Sequence, residues 1–578
     1  MHRRLISTLF FALSCSLVPG TAFAGEKTAV IKGSIVNVRT ESNAKSKKLT
    51  NLFSNTEVTV SDPGKNESGE SWYPVKTAQG TGYVRADFIK FPVQYQREES
   101  FENSLNQQGF PESYKQGLRA LHAEFPNWQF RGFKTNLDWN AVLDGEMEGT
   151  GGLVDKNAIS SWKSTDNGKY DWNTGTWPGF DGPSWVGASR ALTAYYMDPR
   201  NFFDESYVFQ FLVHNYNPEE QNAEGLNAIL KGSFMAGTGG DSSASTNAQS
   251  AGNDAIVSST VSSTEESGEI VSALGPGEKV SASDNGQGST TRNANGIDYS
   301  GILLRAAEAT KQNPYVLAAM ILQEQGKGTS GSISGASGLY NYFNVGAYAA
   351  NGMGAVERGI WYAGQSGSYG RPWNSPEKSI QGGAQFFAEN YLNAGQNTFY
   401  LKKWNVQGSN LYKHQYMTNV QGAAEEGAKL SKAYTAEMKK KTLSFSIPIY
   451  ENMPEKRAVI PTGTGSPNNR LSSLTVSGYT LSTAFNGGNQ NYSLTIPKGT
   501  KSITIAATAV DSKAKVSGAG VQSIEGKESV VLSVKAENGD ERNYNIKLNF
   551  SDTASQTATQ SGGESGVGIV EVGKGPLS

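Results

Sequence analysis

The chain has 578 residues but only one cysteine, Cys15, and four histidines. Cys15 falls inside an N-terminal stretch that reads as a removable leader, so the mature chain has no thiol for a disulfide or for nucleophilic catalysis. Beyond the leader only His122, His214 and His414 remain and no cysteine does, which argues against a zinc site. Charge is sparse too. Asp, Glu, Lys and Arg make up 18% of the residues and the formal net charge is −2, so the chain as a whole has no electrostatic attraction for nucleic acid. Past the leader no apolar run is long enough to span a bilayer. Gly-rich stretches are plentiful, but none has the phosphate-cradling G-x-x-x-x-G-K-[ST] form. No metal and no cofactor are expected, and the oligomeric state is left open.

The abundant residues are Gly, Ser, Thr and Asn, with 25 Tyr and 10 Trp. Rings that stack on sugar faces, beside amides and hydroxyls that meet sugar OH groups, are what carbohydrate-binding surfaces use. Residues 1–24 have the form of a secretory signal peptide. Arg3 and Arg4 are followed by an apolar run from Leu5 to Val18, then by Pro19-Gly20 and the small-residue pattern Ala22-Phe-Ala24 ahead of Gly25. Ala12-Leu13-Ser14 before Cys15 makes a poor lipidation signal, so secretion without a lipid anchor is expected.

Residues 26–92 alternate as short strands, among them Val30 to Arg39, Glu57 to Ser61, Ser71 to Lys76 and Gly82 to Ile89, with turn residues such as Asp62-Pro-Gly64 between them. The stretches Val36-Asn-Val-Arg39, Trp72 to Val75 and Gly82-Tyr-Val84 resemble the bacterial SH3-type domain. That resemblance implies a small all-β barrel that binds peptide or glycan parts of a cell wall, with Trp72 either a ligand-facing ring or plain core. Residues 100–235 are mixed. Pro111 to His122, Trp185 to Met197 and Phe203 to Phe211 have helical spacing, and a strand-like piece begins at Phe125 to Phe130. Residues 236–292 are a Ser/Gly-rich stretch without aromatic rings, expected to be a disordered insertion. Helical periodicity resumes at Tyr299 and carries a region spanning 293–440. A proline-containing connector is expected at 441–467, a β-sandwich at 468–550 and a disordered tail at 551–578. Leu474-Thr-Val-Ser-Gly478 and Ala536-Glu-Asn-Gly539, with Tyr544 nearby, resemble the cadherin-like β-sandwich of bacterial surface proteins.

The chemistry concentrates in Asn313 to Gly328. Asn313 is a good N-cap, Pro314 a good first helical residue and Gly326 a C-terminal stop, so a helix is predicted over 314–325. Leu317, Ile321 and Glu324 fall at i, i+4 and i+7, which places Glu324 on the apolar face in the last turn. Burial and the negative end of the helix dipole both disfavour its carboxylate, which keeps the acid form to higher pH. A protonated carboxyl beside a glycosidic oxygen is what glycoside cleavage requires. From spacing alone the simpler reading is a helix-end Glu with its head in solvent.

Downstream lie Ser334 to Ala347, containing Tyr342, Phe343 and Asn344, then Trp373 to Ala384, Tyr391 to Leu401 and His414 to Val420. In this order they resemble the endo-β-N-acetylglucosaminidases of glycoside hydrolase family 73. Pro111 to His122 and Tyr195 to Phe202 look like the N-terminal part of that family's autolysin-type members. The resemblance covers about 100–440, interrupted by the Ser/Gly-rich stretch. It implies a multidomain protein with an α+β lysozyme-like catalytic domain, flanked by the all-β SH3-type barrel and the all-β sandwich. It also implies hydrolysis of the GlcNAc-β-1,4-MurNAc bond of peptidoglycan by a secreted, wall-associated enzyme. Glu324 would be the general acid. Tyr342, Phe343 and Asn344 would line the groove opposite it, and Trp373, Tyr391 and Tyr416 would form sugar-binding walls. Peptidoglycan glycan strands are the expected partner, with stem peptides a further ligand through the SH3-type domain.

The second catalytic group stays open. Glu357 and Glu377 are the downstream carboxylates, with Glu357 the candidate of lesser weight beside Glu324, and the substrate's own 2-acetamido group could replace either. Two alternatives remain: a lytic transglycosylase on the same fold, and a non-catalytic wall-binding surface protein.

Overall fold

The computed structural model describes residues 26–237 and 292–552, apart from 34, 54, 55, 150, 294 and 351. The expected leader lies outside the described residues, as do all but 236, 237 and 292 of the Ser/Gly-rich stretch and all but 551 and 552 of the tail. The described chain divides into two compact units. One comprises residues up to Glu146 together with Tyr196–Ala458; the other comprises Met147–Tyr195 together with the residues from Val459 onward. The stretch read as one piece over 100–235 is therefore shared between them.

In the first unit, residues 27–90 form a β-sheet in the order 48–53, 35–39, 80–85, 71–77, 57–60, 27–31, 89–90, with the short strand 64–65 beside 71–77. Strict alternation sends Val36, Val38, Val58, Val60, Val75 and Val84 inward, where they pack with Ala29, Ile31 and Ile89. Gly82 is needed where the 80–85 and 35–39 strands cross, because a Cβ there would lie 2.8 Å from the Arg39 carbonyl oxygen. Trp72 is 4% exposed and belongs to the interior, so it offers no ring to a ligand.

The mixed region that follows is closed by a pairing of remote segments. Strand Gln129–Asp138 runs parallel to Ser444–Glu451, with Phe130 opposite Phe445 and Gly132 opposite Ile447. The second of these strands corrects the expectation of a connector over 441–467. Pro448 reads as a breaker in sequence, yet in a two-stranded sheet it sits where a missing N–H is tolerated, and Phe445, Ile447 and Tyr450 on the same strand are buried. The unit also contains the helices Glu99–Gln107, Glu112–Glu124, Ala223–Leu230, Tyr299–Thr310, Pro314–Gln325, Ala355–Gly364, Pro376–Phe387, Phe399–Lys403, Gly422–Ala433 and Ala436–Lys439. Trp185 to Met197, expected as one helix, is a short strand Trp185–Gly187 followed by the helix Arg190–Met197.

In the second unit a three-stranded sheet (471–476, 502–509, 520–523) and a four-stranded sheet (491–497, 541–551, 529–535, 515–517) bury Leu474, Tyr492, Leu494, Ile503, Leu532, Tyr544 and Ile546 between them. The Tyr544 hydroxyl accepts from the Leu471 N–H at 3.0 Å and donates to the Gly487 carbonyl at 2.7 Å, tying the first strand to the last. Residues 147–195 join this sandwich through polar and cation–π contacts. The Trp162 indole donates to the Pro461 carbonyl at 2.8 Å, and the guanidinium carbons of Arg470 and Arg542 lie 4.2 and 5.1 Å from the Trp172 ring centroid. Among the described residues no helix is long and apolar enough to cross a membrane.

Candidate active site

The helix Pro314–Gln325 has the bounds its capping residues predict. The Asn313 side chain accepts from the Tyr315 N–H, Pro314 opens the first turn, and Gly326, with φ +53°, ends the helix as its N–H bonds the Leu322 carbonyl. Leu317 and Ile321 are buried as the spacing predicts, and Glu324 follows them at the rim, half-buried in the last turn.

Two donors hold its carboxyl. Asn344 Nδ2 donates to Glu324 Oε2 at 3.1 Å and to the Glu324 carbonyl at 3.3 Å, and the Tyr416 hydroxyl donates to Oε1 at 3.4 Å. Burial pushes the Glu324 carboxyl above the usual carboxylate range. The hydrogen bonds from Asn344 and Tyr416 and the more distant Lys429 ammonium pull the other way without cancelling it.

The loop that presents Asn344 is rigidly built. Gln325 Nε2 donates to the carbonyls of Asn341 and Tyr342 at 3.1 and 2.8 Å and to Asn344 Oδ1 at 3.3 Å, stitching the helix end to the loop. Asn341, fully buried, donates to the Val345 and Gly359 carbonyls, each at 2.9 Å. Asn344 itself takes a left-handed backbone, φ +51°, which Asn tolerates better than most residues.

The six rings and amides expected to line a groove divide into two sets. Asn344 and Tyr416 touch Glu324, although the Tyr416 ring, 7% exposed, is buried and is no sugar-stacking wall. The other four are corrections: Tyr342 is 1% exposed, Phe343 3%, Trp373 0% and Tyr391 4%, and rings so buried cannot stack on a sugar. They frame the site from behind instead. The Tyr342 hydroxyl pairs with that of Tyr299 at 2.6 Å, Phe343 packs against Phe387 at 5.4 Å between ring centroids, and the Trp373 indole donates to the Tyr369 carbonyl at 2.8 Å. Motif position marks these residues as important but does not separate a ring facing the groove from one supporting it.

Glu357 lies exposed in the first turn of the helix Ala355–Gly364, where its Oε2 accepts from the Gly354 N–H at 3.4 Å. That is the work of an N-terminal cap, favoured there by the helix dipole. Glu377 is engaged by the Arg305 guanidinium at 2.8 Å on the surface. The carboxyl that sequence reasoning missed is Glu426, on the helix Gly422–Ala433. It is buried, accepts from Gln323 Nε2 and stands 3.8 Å from Lys429 Nζ. The small residues around it, Gly422, Ala423, Ala424 and Gly427, were the available signal. They let this helix pack closely, so close that a Cβ on Gly427 would lie 2.3 Å from the Gln210 nitrogen. Among the described residues no group of three or more His, Cys, Asp or Glu side chains is arranged to hold a metal ion.

Comparison with known proteins places two parts of the chain in described families. Residues 34–90 match the bacterial SH3 domain and residues 471–560 the cadherin-like beta sandwich domain. The chain is 35% identical over 156 residues to a bifunctional autolysin of Staphylococcus aureus, a match that covers 25% of this chain and 12% of that protein. The chain therefore aligns with about an eighth of the curated relative's length. Among solved structures it is similar to the major bifunctional autolysin, at 20% identity and a TM-score of 0.32 over 56% of this chain and 98% of that one. It is also similar to S. aureus glucosaminidase B, at 18% identity and a TM-score of 0.32 over 56% of this chain and 94% of that one.

Proposed function

We propose that the chain hydrolyses the glycan strands of peptidoglycan, cleaving the GlcNAc-β-1,4-MurNAc bond with Glu324 as general acid. One observation carries this reading: a half-buried glutamate in the last turn of a helix, its carboxyl raised by burial and fixed in direction by Asn344 and Tyr416. The sequence relationship to a bifunctional autolysin supports the same substrate class.

In this reading Glu324 gives its proton to the glycosidic oxygen as the C–O bond breaks, and its carboxylate is then steadied by the Asn344 amide and the Tyr416 hydroxyl. Those two donors favour the charged product more than the neutral reactant, so their stabilisation grows as the proton leaves. Glu357 caps its own helix through a 3.4 Å contact at the surface, and Glu426 is shut inside the protein. Attack by the substrate's own 2-acetamido oxygen, followed by water, would need no second protein carboxylate. The alternate buried rings serve rigidity: a proton donor must stay within hydrogen-bond reach of the leaving oxygen, about 2.6–3.2 Å.

The test is turbidity loss of purified peptidoglycan by the chain lacking residues 1–24, run beside Glu324→Gln, with products reduced and weighed by mass spectrometry. Clearing by wild type alone with new GlcNAc reducing ends is the expected result. Anhydro products would assign a lytic transglycosylase. Binding of both proteins to sacculi without clearing would make the chain a wall-binding protein.

A further inference from the structure

The Tyr416 hydroxyl that donates to Glu324 stands on a loop held by residues remote from it in sequence. Gly145, in the last turn of the helix Trp139–Met147, lets the Tyr412 ring lie directly on that helix; a Cβ there would come 2.2 Å from Tyr412 Cδ2. Beside it Glu146 is buried. Its Oε2 accepts from Gln415 Nε2 at 2.7 Å, while its Oε1 meets no donor among the described residues. Gln415 Nε2 also donates to the Tyr412 carbonyl at 3.2 Å, and Gln415 Oε1 accepts from Lys403 Nζ at 2.9 Å. Lys403 is wholly buried, in the last turn of the helix Phe399–Lys403. One amide thus joins a buried acidic side chain to a buried basic one, using both of its ends.

The next residue is fixed from the same side. The Tyr416 N–H donates to the Lys402 carbonyl at 2.8 Å, so consecutive residues of the loop, 415 and 416, are bonded to consecutive residues of the helix, 403 and 402. Gln396 Nε2 holds the His414 carbonyl at 3.1 Å. These bonds fasten the loop backbone to its neighbours at 396–403, and the Gln415 side chain ties it to the helix Trp139–Met147 as well. Position matters here because the bond from the Tyr416 hydroxyl to Glu324 Oε1 is 3.4 Å long. A further few tenths of an ångström would take it out of hydrogen-bond range. Removing the Gln415 amide would leave buried polar ends on both Glu146 and Lys403 unpaired, so the loop would have to shift to satisfy them.

We propose that Gln415, bridging Glu146 and Lys403, is a positioning residue: it holds the loop so that the Tyr416 hydroxyl stays within reach of Glu324. The proposal rests on the reading of Glu324 as the general acid, and Gln415 acts on that acid through Tyr416.

The pH profile of kcat/KM on peptidoglycan fragments tests it in wild type, Glu324→Gln, Tyr416→Phe, Gln415→Leu and the double variant of Tyr416 and Gln415. Glu426 and Lys429, the other charged groups near Glu324, stay in place throughout. The Tyr416 bond favours the ionised form of Glu324, so its loss raises the alkaline limb, by about half a pH unit for so long a bond. Gln415→Leu is expected to raise the limb in the same direction and by no more than Tyr416→Phe does. In the Tyr416→Phe background the same Gln415 change is expected to leave the limb where it is, because the hydroxyl it acts through is gone. A merely structural role would lower Tm without moving the limb. A limb that superimposes on wild type in either single variant, with Glu324→Gln inactive, overturns the proposal and leaves the acid reading intact. An equal Gln415 shift with and without the Tyr416 hydroxyl overturns it too, since Gln415 would then act by another path. Activity retained in Glu324→Gln removes the acid reading and the proposal with it. Should Gln415→Leu fail to fold, Glu146→Leu combined with Lys403→Met decides. That pair removes one acidic and one basic side chain together and leaves the Gln415 amide without either partner. An alkaline limb that then stays at the wild-type position overturns the proposal.

Discussion

Replacing Asn344 by glycine isolates the donor that holds the Glu324 carboxyl. Glycine is the right replacement because the backbone there is left-handed, φ +51°. Alanine would add strain of about 1–2 kcal/mol, while glycine adopts that conformation freely. The loop keeps its anchor, since Gln325 still donates to the Asn341 and Tyr342 carbonyls at 3.1 and 2.8 Å. What disappears is the 3.1 Å hydrogen bond to Oε2 and the 3.3 Å bond to the Glu324 carbonyl. A hydrogen bond to a charged group contributes about 1.5–3 kcal/mol, and a half-exposed one of ordinary length falls at the lower end. At about 1.4 kcal/mol per unit, losing it raises the Glu324 carboxyl by about one pH unit, because the bond favours the ionised form. The alkaline limb of kcat/KM therefore moves up by about one unit in Asn344→Gly, while the plateau falls as the acid loses its direction. Soluble peptidoglycan fragments assayed across roughly pH 5–9, which brackets a carboxyl raised by burial, provide the measurement. An alkaline limb that stays in place, or moves down, would refute the assignment of Asn344 as the donor to an acid.

Glu324→Gln lowers kcat by about 10²–10⁴-fold, the usual contribution of general acid catalysis, with sacculus binding retained; a loss under tenfold in pelleting-controlled turbidity assays would exclude the role. Tyr342→Phe removes a hydroxyl pair buried with Tyr299, so it lowers thermal stability by about 1 kcal/mol and leaves KM unchanged, whereas a raised KM at unchanged Tm would return Tyr342 to the groove. At the start of the mixed region the Arg119 guanidinium, 2.8 Å from Glu102, holds that carboxyl down at about 2. Its unfolded value is about 4.3, so the stabilisation is complete above that pH and is lost as pH falls toward the folded value. Thermal unfolding of Glu102→Gln should accordingly show a deficit at pH 7 that shrinks near pH 2.5; an equal deficit at both would assign it to packing alone.

What was legible in the sequence was local. Asn313, Pro314 and Gly326 fix the ends of the helix that carries Glu324 by backbone chemistry within a few residues, and the structure has those ends. Alternation fixes the strands of both β-rich ends, and family matches cover 34–90 and 471–560. What was not legible depended on distant partners. Pro448 made a connector of residues that pair with a strand some 300 positions earlier, and the segment 147–195 joins the sandwich through Trp172, whose arginines come from the far end of the chain. The expected sugar-binding rings show the same limit: a Trp or Tyr in a motif has one identity whether it faces the groove or the core, and Trp373 and Tyr391 face the core. Glu426 shows the same limit: Glu425 and Glu426 are adjacent acidic residues in sequence, and only the packing of their helix shows that Glu426 is buried.

The site balances two opposed needs through separate parts of the fold. An acid must keep its proton until the substrate's oxygen is in place, then must lose it readily. Burial serves the first need; Asn344 and Tyr416 serve the second and act on the carboxyl oxygens. Because Asn344 and Tyr416 come from different segments of the chain, their effects separate experimentally. Asn344→Gly and Tyr416→Phe each remove one donor and each raise the alkaline limb, so the double variant should raise it further than either single change. Additive shifts of this kind are expected only if both residues act on one titrating group; independent limbs in the double variant would mean that the alkaline limb belongs to a group other than Glu324.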